Sequence, residues 1–221
     1  MKLIYESMGH ILRFGEGYVI ELAIENKKLF FEMVTNISEQ SNGAHGKFVL
    51  SISDKPVELS RYADVMIQFT PFEINRKNLL AKLYTALEQK ALHAENYLKT
   101  GALLNELENY IHHLTEDFPF EIDCKKVAIG PLLRALGPEI DVSEKSPLEK
   151  IFNYMELVRE FDRDKLFVMI NMRTFFSDED MELFAQTVCL HDFKVLLLES
   201  TSLERLKNVK RYTIDNDLCE F

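Results

Sequence analysis

Residues 166–170 read LFVMI and residues 195–198 read VLLL, and neither run alternates between apolar and polar side chains. Strands with this pattern are buried on both faces, as in a parallel sheet covered by helices. Between the runs lies an amphipathic stretch, residues 178–190, preceded by Ser177 as a candidate N-cap with Asp180 three residues later. The order strand, helix, strand predicts an α/β fold of the nucleotide-binding type.

The first strand-to-helix turn is where such a fold would hold phosphate. Here a strand at residues 18–24 (YVIELAI) leads into a helix opened by Asn26, and no loop in the chain has the Gly-rich turn followed by Lys. The scaffold therefore suggests an NTPase whose phosphate-binding chemistry is missing. The G-x-S-x-G motif of α/β hydrolases is also absent, so hydrolase chemistry has no support in the sequence.

The middle of the chain changes from strand to helix patterns. Residues 48–52 alternate with a period of two and residues 64–69 form another buried run, whereas from Asn75 onward apolar residues recur every three or four positions. The pattern predicts helical stretches through residues 79–98 and 103–114, either two helices or one that kinks near Gly101. Further helices follow around Leu132 and after Pro147.

These patterns predict two domains. We expect a parallel-sheet α/β head made of residues 1–76 and 160–221, with an α-helical leg of residues 77–159 inserted between them. A single layered α/β domain is the alternative.

Composition limits the cellular setting. No run of eighteen apolar residues exists, and the N-terminus has no sustained apolar segment, so we expect neither secretion nor membrane insertion. The three cysteines, Cys124, Cys189 and Cys219, are far apart, which favours structural thiols in a reducing cytoplasm. The net charge of −10 argues against a surface that attracts nucleic acid everywhere, but it leaves room for a local basic surface.

The densest acidic group is a candidate metal site. It lies in TEDFPFEID, residues 115–123, and contains Glu116, Asp117, Glu121 and Asp123. A loop with several carboxylates and free carbonyls can supply the six to eight oxygen ligands of calcium. The EF-hand spacing is absent, so a solvated acidic turn is the alternative.

Basic residues cluster in three places. Lys27 and Lys28 occupy the first turn of a helix, where positive charge opposes the helix dipole. They either lie on a solvated surface or contact phosphate. The other basic groups are Lys125, Lys126 and Arg134 after the acidic segment, and Lys207, Lys210 and Arg211 near the C-terminus.

Several segments together resemble a ring-forming CRISPR-associated adaptation protein of type II-A loci, the Csn-two family. The similar segments, in family order, are VIELAIENKKLFFEMV, ADVMIQFTPFEINRKNLLAKLYTALE, VAIGPLLRALG, KLFVMINMRTFFSDED and KVLLLES. They are patterns of apolar and turn residues rather than catalytic motifs. Their number and order across almost the whole chain carry the resemblance.

The resemblance implies a P-loop-NTPase-like head that lacks the phosphate-binding loop, a helical leg and a homotetrameric ring. It implies non-catalytic binding of double-stranded DNA, preferably at free ends, by the basic inner surface of a calcium-stabilised ring. The family's calcium-binding segment falls on Glu116 to Asp123, with Glu121 and Asp123 as the better matches. The implied role is spacer acquisition beside the CRISPR integrase complex and the effector nuclease.

Two other functions remain open at this stage. A divergent nucleotide hydrolase would use the α/β head, and failure to bind ATP with magnesium would exclude it. A protein-only adaptor needs no site, and it would show no DNA affinity at low salt.

Overall fold

The computed structural model describes residues 1–123, 126–162 and 164–221. In this part of the chain the strands are β1 (Lys2–Tyr5), β2 (Leu12–Arg13), β3 (Val19–Ile24), β4 (Phe48–Ile52), β5 (Lys55–Val57), β6 (Ala63–Met66), β7 (Leu166–Ile170), β8 (Lys194–Glu199) and β9 (Val209–Ile214). The helices are α1 (Lys27–Ser41), α2 (Leu59–Tyr62), α3 (Lys77–Leu92), α4 (Ala94–Thr115), α5 (Ile129–Leu136), α6 (Pro147–Phe161) and α7 (Asp178–Leu190), with a 3-10 turn at Met172–Thr174. Of the helices in these ranges, none combines the length and the apolar character needed to cross a membrane.

Five strands form a parallel sheet in the order β6-β7-β8-β3-β9. Every residue of β3 and β7 is buried, as is β8 after its first residue. Continuous burial explains why the two apolar runs do not alternate, because both faces of these strands are covered. The α/β fold class predicted from those runs is confirmed.

A second, antiparallel sheet has the order β2-β1-β4-β5. Leu3 lies opposite Leu50, and Tyr5 lies opposite Phe48. These four side chains are buried in the same hydrophobic core as alternate residues of the parallel sheet. The two-residue period of β4 therefore reflects one core-facing and one more exposed side.

Local polar contacts fix where the helices begin. Asn26 accepts a hydrogen bond from the backbone of Leu29 at 3.0 Å and so caps α1. Ser146 and Glu149 form a reciprocal capping box at the start of α6, where Pro147 is the first helical residue. The structure therefore confirms the predicted starts of α1 and α6.

The helical stretch after residue 75 breaks at a different point from the one the sequence predicts. Gly101 lies inside α4, and the chain turns instead at His93, whose backbone is extended. Helix ends leave carbonyls without partners, and here Thr100 donates to the carbonyl of Ala91 at 2.8 Å and Asn96 to that of Lys90 at 2.9 Å. These side-chain donors satisfy the end of α3, so the break falls there and not at the glycine.

The chain packs as two compact units, one made of residues 1–72 and 144–221 and the other of residues 73–143. Helix α6 belongs to the first unit, where Ile151 and Met155 are fully buried and the hydroxyl of Tyr154 donates to Asp64 at 2.7 Å. The sequence-based domain limits had placed most of this helix in the leg. The domain limits of 1–76 with 160–221 and of 77–159 stay a prediction. The packing of the chain places α6 in the unit that contains the sheets.

Truncating the buried sheet should destabilise the protein strongly. Leu196 in β8 has no exposed surface, so Leu196→Ala should lower the free energy of unfolding by roughly 2–5 kcal/mol. Since the chain has no tryptophan, urea unfolding should be followed by far-ultraviolet circular dichroism. The control is Leu190→Ala in α7, where the side chain is 76% exposed and the change should stay within about 0.5 kcal/mol. Equal losses in both variants would contradict the assigned burial.

Candidate nucleic-acid interface

Ligands of open α/β sheets bind beyond the carboxyl ends of the strands, so this edge is the first place to look for a site. Only Glu25 and Asn26 connect β3 to α1. Two residues are too few to wrap a phosphate group, and Asn26 already caps the helix. On the neighbouring strands, Asn171 follows β7 with a left-handed backbone and accepts from the amide of Ser200 at 2.8 Å. The edge is thus closed by short, hydrogen-bonded connections.

A buried ion pair occupies the interior next to this edge. Arg173, from the 3-10 turn after β7, reaches Glu21 in the middle of β3 with 3.2 Å between Nη1 and Oε2. Neither side chain has exposed surface. The other guanidinium nitrogen, Nη2, lies 2.7 Å from the half-exposed carboxylate of Asp178 at the start of α7. Arg173 therefore links β3 to the first turn of α7.

Arg211 is the second cation of this network. Its Nε lies 2.6 Å from Oε1 of Glu21, across the pairing of β9 with β3. The same guanidinium donates to the backbone carbonyl of Glu204 at 2.6 Å, and Arg173 donates to that carbonyl at 2.9 Å. Arg173, Arg211 and Glu21 thus fill the interior between the strands and the backbone at Glu204. The network serves internal pairing and is not available to an external phosphate.

Glu199 ends β8 beside the same network and is almost completely buried. Its Oε1 accepts from the amide of Arg173 at 3.1 Å. Burial, with a smaller contribution from the nearby charge of Glu21, raises the pKa of Glu199 to about 7, against the opposing effect of the amide hydrogen bond. This carboxyl group therefore takes up a proton near neutral pH.

Lys27 and Lys28 lie where the sequence predicts them, in the first turn of α1, and both are exposed. That turn contains no acidic residue. Within the ranges that the structure describes, no carboxylate lies at ion-pair distance from either ammonium group. Both lysines therefore have their charge available to solvent or to a ligand.

Lys28 also borders a cavity of about 440 Å³ between α1, the N-terminal segment and the end of β9. Inside it, Tyr5 donates to Glu32 at 2.8 Å and Lys47 lies 2.6 Å from the same carboxylate. These two hydrogen bonds hold the pKa of Glu32 below its usual range, and the charge of Lys28 adds to the effect. The cavity thus already contains a carboxylate with two partners, which disfavours it as an anion site.

The second predicted basic group lies in the unit of residues 73–143. Lys126 is exposed beside Val127, whose amide donates to Glu108 of α4 at 2.9 Å. Arg134 is exposed in the last turn of α5, where its charge complements the helix dipole before Gly137 ends the helix in a left-handed conformation. Lys125, the remaining member, lies outside the described residues, as does Cys124.

The predicted calcium ligands are all on the surface. Glu116, at the end of α4, Asp117, Glu121 and Asp123 are exposed, and Glu116 lies 3.3 Å from Nδ1 of His113. Across the described ranges, no three His, Cys, Asp or Glu side chains are grouped so that they could share a metal ion. Among the described residues the four carboxylates therefore do not form a three-ligand group, and calcium binding stays a prediction.

The C-terminal basic residues have internal partners. Arg211 pairs with Glu21, and Lys207 lies 2.9 Å from Glu182. Lys210 lies over the rings of Tyr18 and Tyr212 at 5.3 and 5.4 Å from their centroids. Strand β9 thus uses this basic segment for its own packing, which the sequence pattern did not predict.

The buried network was also missed from the sequence. A signal for it exists, because Glu21 interrupts the apolar run of β3 and Glu199 ends that of β8. A carboxylate inside a fully buried strand needs a cation or hydrogen-bond donors. The sequence alone did not identify Arg173 and Arg211 as those partners.

Comparison with known proteins gives two findings. Residues 40–218 match the family model described as CRISPR-associated protein (Cas_Csn2). The chain is also similar to the CRISPR-associated protein Csn2 of Enterococcus faecalis, with 23% identity over 167 residues, which is 74% of this chain and 72% of the relative.

The raised pKa of Glu199 makes stability depend on pH. Because the folded-state pKa of about 7 exceeds the ordinary value of 4.5, folding favours the protonated form. The stabilisation is complete below about pH 4.5 and is lost as the pH rises through 7. Between about pH 5 and about pH 8 this group should cost the wild type about 2 kcal/mol, and Glu199→Gln should remove that loss. Urea midpoints of both proteins at the two pH values measure it, and parallel pH profiles would contradict the assignment.

Proposed function

Since the chain belongs to the Csn2 family of CRISPR-associated proteins, we propose that it binds double-stranded DNA without catalysis, as a homotetrameric ring serving spacer acquisition. Family membership is the observation that carries the proposal. In this proposal the ring works beside the CRISPR integrase complex and the effector nuclease. The DNA contacts come from Lys27 and Lys28 on one unit and from Lys125, Lys126 and Arg134 on the other.

The surface charges support phosphate contact rather than base reading. Lys27 and Lys28 lie at the positive end of the α1 dipole without a carboxylate partner among the described residues, so a phosphate there gains from both. Contacts of this type position a protein on DNA but carry no sequence information. Binding should therefore be independent of sequence and should weaken steeply with salt.

A nucleotide hydrolase is the less supported alternative. The two-residue connection between β3 and α1 is too short for a phosphate-binding loop, and the adjoining interior is filled by the Arg173 network. A protein-only adaptor is the other alternative, and DNA titration distinguishes it.

The first test is a gel-shift titration with linear and with covalently closed circular duplex DNA of equal length. Threading onto a closed ring requires an end, so binding to the linear form alone supports the proposal. Equal binding to both forms would retain DNA affinity but contradict threading. No binding to either at low salt would favour the protein-only adaptor.

Removing the unpaired lysines should weaken DNA binding. Lys27→Ala with Lys28→Ala should reduce affinity and flatten the dependence of log K on log salt by about one per lost phosphate contact. The measurement is fluorescence anisotropy with a linear duplex between about 50 mM and about 200 mM salt. The matched control, Lys2→Ala with Lys207→Ala, removes the same charge from lysines already paired with Asp54 and Glu182. Equal losses in the two double variants would show that only net charge matters.

Calcium dependence remains a prediction of the family resemblance, and no step of the binding proposed above depends on it. The prediction is that Glu121→Ala with Asp123→Ala lowers both calcium affinity and calcium-stimulated DNA binding. Calorimetric titration with calcium, followed by anisotropy with calcium or chelator, measures the two effects. Unchanged values in both assays would exclude these residues as ligands.

A further inference from the structure

A groove between α6 and α7 takes no part in the function proposed above. Its volume is about 420 Å³, which is within the range of pockets that hold ligands. Its apolar walls are Leu148 and Phe152 of α6 and Leu183 and Phe184 of α7. Leu183 is 59% exposed, so a large apolar side chain meets water here in the single chain. We call this feature the α6–α7 groove.

The two helices lie side by side and run in the same direction. Helix α6 leads into β7 and α7 leads into β8, and these strands are parallel neighbours. At the far ends, Arg159 in the last turn of α6 donates to the carbonyl of His191, just after α7, at 2.6 Å. Phe152 also packs edge-on against Phe193, with 5.5 Å between the ring centroids. The α6–α7 groove therefore lies toward the N-terminal ends of the helices and has helical walls.

Each helix places a carboxylate at the groove. Glu149 and Asp180 both line it, and each is the third residue after an N-cap serine. Glu149 accepts from the amide of Ser146 through Oε2 at 2.8 Å, and Asp180 accepts from the hydroxyl of Ser177 through Oδ2 at 3.1 Å. The hydrogen bonds from Ser146 hold the pKa of Glu149 below its usual range, so this group is charged at neutral pH.

The charge around the groove is negative. Among the described residues that line it, Lys145 supplies the only positive charge, against the two carboxylates of Glu149 and Asp180. Glu179, exposed next to Asp180, adds a further carboxylate nearby. Negative charge beside an apolar surface repels the phosphates of DNA and attracts Lys and Arg side chains. The groove therefore complements a surface that is both apolar and basic.

We propose that the α6–α7 groove binds a segment of a partner protein in which a Leu or Phe side chain lies next to Lys or Arg. The apolar side chain of the partner fills the space between Leu148, Phe152 and Leu183. The cation of the partner meets the carboxylates of Glu149 and Asp180. A buried apolar anchor of this kind supplies affinity, and the charges set the choice of partner. The inference goes beyond the DNA-binding ring and does not depend on it.

Peptide titration tests the site and its chemistry. The probe is the blocked peptide acetyl-Gly-Lys-Leu-Phe-Arg-Gly-amide, added to the full chain labelled at its leucine methyl groups. The methyl signals of Leu148 and Leu183 should shift, whereas those of Leu190, on α7 outside the groove, should not. A control peptide with Glu in place of Lys and Arg should bind about tenfold more weakly, because its charges repel Glu149 and Asp180.

Two matched pairs of variants locate the contact. Leu183→Arg replaces an apolar wall with a cation and should weaken binding of the basic peptide at least about tenfold. Leu190→Arg makes the same change about two turns further along α7, at an exposed side chain, and should leave the affinity unchanged. Asp180→Asn should weaken binding about threefold, whereas Glu179→Gln removes the same charge next to the groove and should have no such effect.

Several results would contradict the inference. Absent shifts at Leu148 and Leu183, or equal affinity for the two peptides, overturn it. Equal losses in Asp180→Asn and Glu179→Gln would show attraction by net charge alone. A lower assembly mass in Leu183→Arg, measured by sedimentation velocity, would show that the groove holds a second copy instead. DNA titration tests the proposed function separately, since a chain that binds DNA but not the basic peptide contradicts this inference alone.

Discussion

The buried ion pair between Arg173 and Glu21 is the constraint on which the sheet edge depends. Removing two charges from water costs several kcal/mol per ion, so each must keep its partner. Glu21 sits between β8 and β9 in the sheet, and Arg173 arrives from the turn after β7. The pair therefore fixes the connection after β7 against the central strand, and loss of either partner would leave the other charge buried and unpaired.

The same network lies next to the sheet edge at which an open α/β fold would hold a nucleotide. In an open α/β sheet the crevice between strands with diverging connections receives the ligand. Here Arg173 and Arg211 fill the neighbouring interior, and their charges are balanced by Glu21 and Asp178. The positive charge that a nucleotide site would offer to phosphate is used internally. Lys27 and Lys28, by contrast, are exposed and have no carboxylate partner in the described chain, so their charge is accessible to a phosphate.

The sequence predicted best what depends on local rules. The strands at residues 166–170 and 195–198 followed from continuous apolar runs, and the starts of α1 and α6 followed from Asn26 and Pro147, because helix-start signals lie within a few residues of the start. The break at His93 depends on donors from Asn96 and Thr100, whereas the sequence pattern placed a helix boundary or a kink near Gly101.

Contacts between residues far apart in the sequence determine the features that the sequence did not predict. In the sequence, strand β9 has the pattern of a solvated basic segment. In the structure, Arg211 pairs with Glu21, which is 190 positions away, and no local sequence period predicts that pairing. Of the candidate DNA-binding surface, the sequence could predict only which basic residues are exposed. Lys126 and Arg134 are exposed in the structure. Under the proposed function their partners are phosphates of DNA, which a single protein sequence does not contain.

Under the proposed function, assembly into a ring multiplies the phosphate contacts that each acidic chain can make. A net charge of −10 opposes approach to DNA, and the five basic residues proposed as DNA contacts give one copy few phosphate contacts. The salt dependence of the DNA-binding constant grows with the number of phosphates that the protein neutralises. Four copies around one duplex would multiply these phosphate contacts without any new type of site. Under the proposed function, DNA bound preferentially by the ring stabilises the ring to the same extent that ring formation strengthens DNA binding.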